Sequence, residues 1–293
     1  MVYVVAEEIR SQHGILRRRR CGGKPTGFLI AFEGLDGSGL STHSRLLAQL
    51  LRQVVEDGEY LVVTTKEPTG SPIGFLIWEI LKGYLPEEFM QPDILALLFT
   101  ADRLYHIYSD PTLNSGTVKG IAQAMAEGYI VVTDRYKYST IAYQMAPLPG
   151  ARSLDQDLLW QLARLTPPPH LLVYLDIPPE ESIKRIALER NEIHLYENMK
   201  KLAAIHRNFH EIIERLQREP EWPRIGPGGD PVIEPWYHYT PRAECIYSSG
   251  PAWPHVLRVK ERDTLEETFR EIAQAAITEL IETGLLVENR VQV

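Results

Sequence analysis

A glycine-rich turn after an apolar run is the part of this sequence with the clearest chemical meaning. Residues 28–42 read FLIAFEGLDGSGLST, which matches the phosphate-binding pattern Gly-x-x-x-x-Gly-Lys-Ser/Thr except that Leu40 stands in place of lysine. In such loops the glycines let backbone N–H groups face phosphate oxygens, the lysine adds a positive charge, and the hydroxyl binds magnesium. The residues expected to line the loop are Gly34, Gly37, Ser38, Gly39, Ser41 and Thr42. The alternative is a tight structural turn without a ligand.

Five short β-branched or aromatic runs indicate the scaffold that positions this loop. Runs that are apolar on both sides are typical of a parallel sheet covered by helices on both faces. The predicted strands are residues 28–33, 60–65, 129–133, 171–176 and 255–259. The intervals between them are long enough for crossover helices. We therefore expect an α/β fold of three layers with a mainly parallel five-stranded sheet.

The segment after the turn predicts a helix whose first turn would face a bound anion. An apolar stripe runs from Leu46 to Val54, and Gly58 marks its end. The unpaired N–H groups and positive dipole end of such a helix favour phosphate. A second amphipathic helix is predicted after Thr264, near the C-terminal end of the sequence.

The overall composition excludes some classes of protein. The formal charge of −8 and pI near 5.7 argue against a protein whose main role is nucleic-acid binding. Cys21 and Cys245 are too few for a disulfide framework, and no apolar run is long enough to span a bilayer. Arg17 to Arg20 follow the first short apolar stretch instead of preceding it, unlike in a signal peptide. We expect a soluble, cytoplasmic protein without a membrane or nucleic-acid partner.

Two segments lie outside the strand and helix pattern. Residues 1–24 are predicted to be a flexible N-terminal extension with a solvated basic cluster. Residues 25–293 are predicted to form a single domain. Residues 218–254 are rich in proline, glycine and aromatic residues, and a loop this long requires an explanation. We expect it to fold back on the body or to form a subunit contact.

Several separate motifs resemble the thymidylate kinase family. They are FEGLDGSG-ST at 32–42, EPTGSPIG at 67–74, LLFTADR at 97–103, DRY at 134–136 with Ser139 and AYQ at 142–144, and YLD at 174–176 with PEE at 179–181. Arg185, Arg190 and residues 196–197 fall where the family has its lid, about 185–198. The resemblance covers residues 27–217 and 255–282. It implies a kinase fold of the nucleoside monophosphate kinase type, the reaction dTMP to dTDP with ATP and Mg²⁺, and a homodimer.

The resemblance also implies a role for individual residues. Phe99 would stack on thymine while Arg103 donates to its edge. Arg135 would bind the monophosphate, Asp36 would face the 3′-hydroxyl, and Lys66 would contact the acceptor phosphate. The residues assigned to dTMP are Asp36, Lys66, Phe99, Arg103, Arg135, Ser139, Tyr143 and Gln144. Those assigned to ATP are the loop residues, those assigned to magnesium are Ser41 and Asp134, and those assigned to catalysis are Arg190, Asp134, Arg135 and Asp36.

Leu40 is the most serious departure from the family pattern. Phosphoryl transfer depends on positioning and on stabilising charge at the migrating group, so a missing ammonium slows turnover unless another cation replaces it. The candidate replacements are Lys137, Arg45, and Arg185 or Arg190 from the lid. Gly37 leaves the glycine loop without an arginine of its own, so Arg190 is the first choice.

His206 and His210 lie four residues apart on a predicted helix. A metal site is not expected there, because no glutamate follows His206 as in zinc hydrolases and the sequence indicates no third ligand.

Three functions remain open from the sequence. The first is phosphorylation of dTMP for dTTP synthesis. The second is a catalytically degenerate nucleotide-binding regulator or scaffold, which Leu40, the basic extension and the 218–254 insertion would favour. The third is a kinase for another small phosphate acceptor, because Phe99 and Arg103 do not exclude related pyrimidines.

Overall fold

The computed structural model describes residues 1–110, 113, 118–146, 154–189, 195–222, 224–225, 231–232, 234–247 and 253–288. Within these residues the helices are α1 (Val2–His13), α2 (Leu40–Val54), α3 (Gly58–Leu61), α4 (Pro72–Leu81), α5 (Pro92–Tyr108), α6 (Gly120–Ala126), α7 (Lys137–Gln144), α8 (Gln156–Ala163), α9 (Pro179–Glu189), α10 (Leu195–Arg218), α11 (Pro235–Tyr239), α12 (Ala243–Tyr247) and α13 (Leu265–Glu282), with a 3₁₀ helix at Glu87–Met90. The strands are β1 (Leu16–Arg18), β2 (Arg20–Cys21), β3 (Lys24–Pro25), β4 (Phe28–Gly34), β5 (Val62–Lys66), β6 (Ile130–Asp134), β7 (Leu171–Asp176), β8 (Arg224–Ile225), β9 (Pro231–Val232), β10 (His255–Lys260) and β11 (Leu286–Glu288).

A five-stranded parallel sheet with the order β10-β7-β4-β6-β5 forms the centre of the fold. Every residue of β4 and β7 is buried, as expected for strands covered by helices on both faces. The predicted α/β fold is therefore confirmed. The ends of the strands agree with the predicted runs within a few residues, and residues 60 and 61 belong to α3 instead of β5.

The carboxyl ends of the strands meet at one edge of the sheet. Gly34 ends β4 and lies beside Leu175 of β7, while Phe32 pairs with Asp134 at the end of β6. Asp134 in turn pairs with Lys66, the last residue of β5. After β4 the chain forms β5 and β6 on one side of this strand, and then β7 and β10 on the other side. The loop after β4 therefore lies where the strand order reverses, which is where open α/β sheets bind their ligands.

The N-terminal segment is folded, so the expected flexible extension over residues 1–24 is wrong for this structure. Val5, Ala6 and Ile9 of α1 are buried in the core, and Arg10 donates to the carbonyl of Gln53 on α2 at 3.2 and 2.5 Å. Strand β1 pairs antiparallel with β11. Apolar side chains at helical spacing form one face of α1. Burial of this face holds the segment on the core despite the charged arginines that follow.

Of the four consecutive arginines, Arg17 and Arg20 are exposed as predicted, whereas Arg18 is buried and Arg19 half-buried. Arg17 forms an ion pair with Glu56 at 3.1 Å, and Arg18 is buried and donates to the carbonyl of Gly128. Arg19 donates to two carbonyls of α12, at 2.7 and 3.0 Å, and Arg20 donates to Gly23. Backbone carbonyls therefore supply most of their partners, which a sequence pattern does not reveal.

A disulfide joins Cys21 of β2 to Cys245 of α12, across 224 residues of sequence. The Cα atoms are 5.7 Å apart. Although two cysteines were too few to predict a disulfide framework, the fold brings the N-terminal segment and the insertion into contact and pairs them.

The described part of the 218–254 insertion packs on the body of the chain. Trp222, Trp236 and Trp253 are buried, and Tyr247 stacks on His170 with ring centroids 4.6 Å apart. The described part of the insertion therefore folds back on the body, which is one of the two arrangements expected from the sequence. Among the described residues no helix is long and apolar enough to cross a membrane.

Candidate active site

The glycine loop connects β4 to α2 in a conformation that suits phosphate. A β-carbon on Gly34 would stand 2.8 Å from the carbonyl oxygen of Leu175 and 2.8 Å from Ser38 Oγ, so only glycine fits there. Gly37 has a φ of 74°, in the left-handed region, and faces Ser182 and Arg185 of α9. Ser38 Oγ is buried without a hydrogen-bond partner in the described residues. An unpaired hydroxyl inside a glycine-rich loop can donate a hydrogen bond to a bound anion, together with the backbone N–H groups of the loop.

Leu40 is the first residue of α2, directly after the loop. Its side chain is 5% exposed and belongs to the hydrophobic core, with Cδ2 lying 3.5 Å from where a β-carbon on Gly34 would stand. The position at which the phosphate-binding pattern has an ammonium therefore holds a side chain that packs inward against the strand.

Ser41 and Asp134 come from two elements and meet beside the loop. Ser41 Oγ donates to Asp134 Oδ2, and Asp134 is the last residue of β6. Magnesium prefers oxygen ligands and is held in such sites by one or two protein groups together with substrate phosphates. The hydroxyl and carboxylate that the sequence assigned to magnesium are therefore adjacent, and their chemistry fits Mg²⁺.

Arg135 lies at the centre of a second group of predicted residues. Its Nη1 donates to the carbonyl of Gly34 and to Ser139 Oγ, both at 3.0 Å, and its Nη2 donates to Asp36 Oδ1 at 2.5 Å. The guanidinium also lies over the ring of Tyr143, with 5.3 Å from Cζ to the centroid. Four residues predicted to contact dTMP are thus brought together at the mouth of the glycine loop.

Glu33 supports this group from inside the core, and sequence analysis gave it no role. Its Oε1 accepts from the backbone N–H groups of Tyr136, Tyr138 and Ser139 at 3.0 to 3.1 Å, and its Oε2 accepts from Ser139 Oγ. Burial raises the pKa of Glu33 to about 7, although hydrogen bonds from Ser139 and the nearby charge of Arg135 lower it in part. The carboxyl fixes the turn that carries Arg135.

Arg103 is more deeply buried than a base-contacting side chain was expected to be. It is 2% exposed, its Nε donates to Glu67 Oε2 at 2.8 Å, and its Nη2 donates to Thr140 Oγ1 at 2.7 Å. Glu67 belongs to the segment that follows β5, and its peptide bond to Pro68 is cis. These contacts fix the plane of the guanidinium, which is a condition for directional donation to a base.

Asp102, the neighbour of Arg103 on α5, holds the segment after β5 in place. Its Oδ2 accepts from the backbone N–H of Thr69 at 2.8 Å, and its Oδ1 accepts from the hydroxyls of Thr69 and Ser71 at 2.5 and 2.7 Å. Both motifs are visible in the sequence, but the sequence does not show that one buried carboxylate joins them. The available signal was that a buried carboxylate requires hydrogen-bond donors, and Thr69 and Ser71 of the neighbouring motif can supply them.

The remaining residues assigned to dTMP lie around this edge of the sheet with different exposure. Phe99 is half-buried on α5, and Gln144 is buried at the end of α7. Lys66 is exposed at the end of β5, with its Nζ 5.6 Å from the ring centroid of Trp78. Phe99 and Gln144 are thus partly or fully covered by the protein, whereas Lys66 faces solvent.

Lys137, one candidate for the missing cation, is not available at the loop. Its side chain is 1% exposed, forms an ion pair with Glu221 at 2.7 Å, and donates to the carbonyl of Thr166 at 3.1 Å. Burial lowers its pKa, while Glu221 acts in the opposite direction. Its ammonium is thus occupied by Glu221 and by the carbonyls of Ala163 and Thr166, so this candidate is wrong.

Arg185 and Arg45 lie at the loop. Arg185 Nη1 donates to the carbonyl of Gly37 at 3.3 Å, and its Nη2 forms an ion pair with Glu261. Arg45 Nε donates to the carbonyl of Ser41 at 2.7 Å from an exposed position. Arg190, the first choice from the sequence, lies outside the described residues.

Lys201 of α10 is a cation that sequence analysis missed. Burial lowers the pKa of Lys201, and the charge of Asp36 raises it in part. The carboxylate of Asp36 in the glycine loop therefore acts electrostatically on this ammonium. No sequence signal showed that the helix after the lid returns to the loop.

The parallel sheet, the glycine loop at its centre and the arginine group beside it define a nucleoside monophosphate kinase fold. A family model described as thymidylate kinase matches residues 32–231. The chain belongs to the thymidylate kinase family, whose members are nucleoside monophosphate kinases that phosphorylate dTMP.

Individual relatives agree with this assignment. The chain is 40% identical to a probable thymidylate kinase of Pyrococcus horikoshii over 164 residues, which cover 55% of this chain and 71% of the relative. It is 35% identical to a probable thymidylate kinase of Methanococcus aeolicus over 192 residues, 66% of this chain and 82% of the relative. The crystal structure of thymidylate kinase from Ehrlichia chaffeensis superposes with a TM-score of 0.53 at 22% identity, covering 86% of this chain and all of that one, and shows the same fold.

Proposed function

We propose that this chain catalyses ATP- and magnesium-dependent phosphorylation of dTMP to dTDP without a lysine in its phosphate loop. The observation that carries the proposal is the position of Arg135, which Asp36 and Ser139 hold at the mouth of the glycine loop. A guanidinium fixed there can bind the phosphate of dTMP through two parallel hydrogen bonds.

In this reaction an oxygen of the dTMP phosphate attacks the γ-phosphorus of ATP. The bond from that phosphorus to the bridging β-γ oxygen breaks, which gives ADP and dTDP. Arg135 orients the acceptor phosphate, and the N–H groups of the glycine loop and of the start of α2 face the donor phosphates. When bound, Mg²⁺ neutralises phosphate charge, with Ser41 and Asp134 as its protein ligands.

The lid and the helix that follows it supply part of the positive charge that Leu40 does not. Arg185 Nη1 donates to the carbonyl of Gly37, and the charge of Asp36 acts on Lys201, which follows the lid on α10. Arg190 lies between them in the sequence. A lid that closes over ATP would bring these cations to the migrating phosphoryl group.

The decisive experiment is a coupled assay of ADP release with purified protein. We expect turnover with dTMP, tested beside dUMP, dCMP, dGMP and AMP at equal concentration. Preference for another acceptor would support a kinase for that substrate, which is the third function considered above. No turnover with any acceptor would refute the enzymatic proposal.

Single substitutions in the lid test the origin of the charge. Arg190→Ala should abolish phosphoryl transfer and leave dTMP binding, measured by calorimetry, nearly unchanged. Arg185→Ala and Lys201→Ala should each lower kcat, whereas Arg17→Ala, an exposed arginine that pairs with Glu56 beyond the C-terminal end of α2, should not. Unchanged turnover in Arg190→Ala would remove that residue from the mechanism.

The second candidate function is a nucleotide-binding protein without catalysis. The inward packing of Leu40 favours it, because an apolar side chain takes the place of a phosphate-contacting group. Calorimetry would then give tight dTMP binding with no ATP-dependent turnover. The family also leads us to propose a homodimer, which light scattering after size exclusion would measure as twice 33.4 kDa.

A further inference from the structure

Three side chains converge at the end of β7, outside the groups assigned to ATP and dTMP. His206 Nε2 lies 2.8 Å from Asp176 Oδ1, and His210 Nε2 lies 3.1 Å from the same oxygen. All three atoms lie within 4.8 Å of one another. Asp176 is the third group that the sequence did not reveal, because it follows a strand far from α10 in the sequence.

The convergence follows from helix geometry. His206 and His210 are four residues apart on α10, so their side chains lie one above the other on the same face. Their ring centroids are 4.2 Å apart. Asp176 ends β7 beneath this face, so its carboxylate meets both imidazoles.

The distances are close to those of a tetrahedral zinc site. Zinc bonds to imidazole nitrogen and carboxylate oxygen are about 2.0–2.2 Å, so tetrahedral ligand atoms lie roughly 3.3–3.5 Å apart. The two distances from Asp176 Oδ1 are 2.8 and 3.1 Å. Side-chain shifts of a few tenths of an ångström would therefore make room for the ion.

The hydrogen-bond roles of His210 and Asp176 conflict, and a metal ion between these two side chains would remove that conflict. Arg258 Nη2 lies 3.1 Å from His210 Nε2, and a guanidinium can only donate, so the nitrogen has to offer its lone pair. Asp176 Oδ1, also 3.1 Å from that nitrogen, can only accept when ionised, so it requires an N–H. One nitrogen cannot do both. Toward a cation, both the neutral imidazole and the carboxylate offer lone pairs.

Arg258 would lie next to such a metal site without being a ligand. Its Nε and Nη2 donate to Asp176 Oδ2 at 2.8 and 2.6 Å, which leaves Oδ1 to face the histidines. An outer partner of this kind orients a ligating carboxylate. Its positive charge opposes a cation, but its side chain is 41% exposed and can turn toward solvent.

We propose that Asp176 Oδ1, His206 Nε2 and His210 Nε2 bind one zinc ion, with water as the fourth ligand. Two imidazole nitrogens favour zinc over magnesium or calcium, which prefer oxygen. The histidine side chains are 20% and 32% exposed, so the ion can enter from solvent.

The position of the site defines its role. Asp176 follows Leu175, which pairs with Gly34 of the glycine loop, and both histidines lie on the helix that leaves the lid. Bound zinc therefore fastens α10 to the sheet beside the phosphate loop. It stabilises the folded protein and limits the movement of the helix that carries Lys201.

Equilibrium dialysis of the full chain against Zn²⁺, after removal of metal with EDTA, tests the proposal. We expect one zinc per chain, and affinity at least tenfold lower in His206→Ala, in His210→Ala and in Asp176→Asn. His255→Ala is the matched control, because His255 is similarly exposed and pairs with Glu279 at 2.9 Å elsewhere. Arg258→Ala should keep the site or bind zinc more tightly.

Two measurements on the unsubstituted protein keep the test valid if a variant fails to fold. Co²⁺ should give the visible absorption of a tetrahedral site, and Zn²⁺ should raise Tm in a way that EDTA reverses. Absence of stoichiometric zinc binding by the unsubstituted protein would overturn the proposal. Equal zinc binding by the folded His206→Ala/His210→Ala double variant would overturn it as well.

Discussion

Arg135 Nη2 lies 2.5 Å from Asp36 Oδ1, although the two residues come from the ends of different strands. Arg135 has a φ of 69°, a left-handed backbone conformation that side chains other than glycine adopt at a cost of about 1–3 kcal/mol. Glu33 holds Arg135 in this conformation, because its carboxyl accepts from three backbone N–H groups in the residues that follow Arg135. The strained residue is thus the one that aims a guanidinium at the acceptor site.

Arg135→Lys should lower kcat/KM for dTMP by about a hundredfold to a thousandfold, the usual effect of losing one fixed donor at a reacting group. A lysine carries the charge but cannot form the two parallel bonds. Steady-state kinetics of the coupled assay measures the effect. Arg17→Lys serves as the control, and a loss below tenfold in Arg135→Lys would contradict the assignment.

Leu40→Lys should raise kcat by about a hundredfold, because the restored ammonium supplies roughly 2.7 kcal/mol of transition-state stabilisation. Stability should fall at the same time, since Leu40 is 5% exposed within the core. Leu40→Met keeps the volume and should leave kcat unchanged. If Leu40→Lys folds and gains nothing, the lid cations already supply the charge in full.

Lys137→Met should destabilise the fold by about 3–5 kcal/mol, because it leaves the carboxylate of Glu221 without its buried partner. The double variant Lys137→Met/Glu221→Gln should recover most of that loss. Urea denaturation measures both. Below the unfolding transition Lys137→Met should keep kcat within a few-fold. A folded Lys137→Met variant without activity would return Lys137 to the list of catalytic cations.

The sequence predicted the sheet because each buried strand is a short run with turn signals at both ends. Residues 28–33 and 171–176 are apolar over almost their whole length, and both form buried strands. The loop was equally legible, since glycines at fixed spacing have a direct steric meaning. Ser41 and Asp134 were assigned to one site by the resemblance to the thymidylate kinase family, and the structure places the two side chains in contact.

Long-range pairing was not legible in the sequence. Arg18 and Arg19 resemble surface charges until the carbonyls of Gly128 and Cys245 are known to lie beside them. Lys137 follows Asp134-Arg135-Tyr136 directly, yet the first turn of α7 directs it away from the loop and toward Glu221. In each case the deciding partner is more than 80 residues away, and no local pattern encodes it.

Replacing both cysteines, Cys21→Ser/Cys245→Ser, should lower the free energy of unfolding by about 2–4 kcal/mol. The disulfide closes a long segment of chain and so restricts the unfolded state. Denaturation with and without reductant measures the effect. Reductant should destabilise the unsubstituted protein and leave the double variant unchanged. Equal stability of the oxidised protein and the double variant would show that the link contributes nothing.

Glu33→Gln should change how stability depends on pH. Burial raises the pKa of Glu33 to about 7, whereas an exposed carboxyl titrates near 4.5, so between these values the folded state holds a proton that the unfolded state has lost. The free energy of unfolding therefore falls as pH rises through this window, by about 3 kcal/mol from this one group.

Because glutamine does not titrate, the stability of the Glu33→Gln variant relative to the unsubstituted protein should increase as pH rises from about 4.5 to 7. Urea denaturation at several pH values measures that difference, and effects of all other groups cancel in it. The amide keeps one oxygen for the N–H groups of Tyr136, Tyr138 and Ser139. A difference that stays constant with pH would show that Glu33 is ionised throughout, held by those donors and by Arg135.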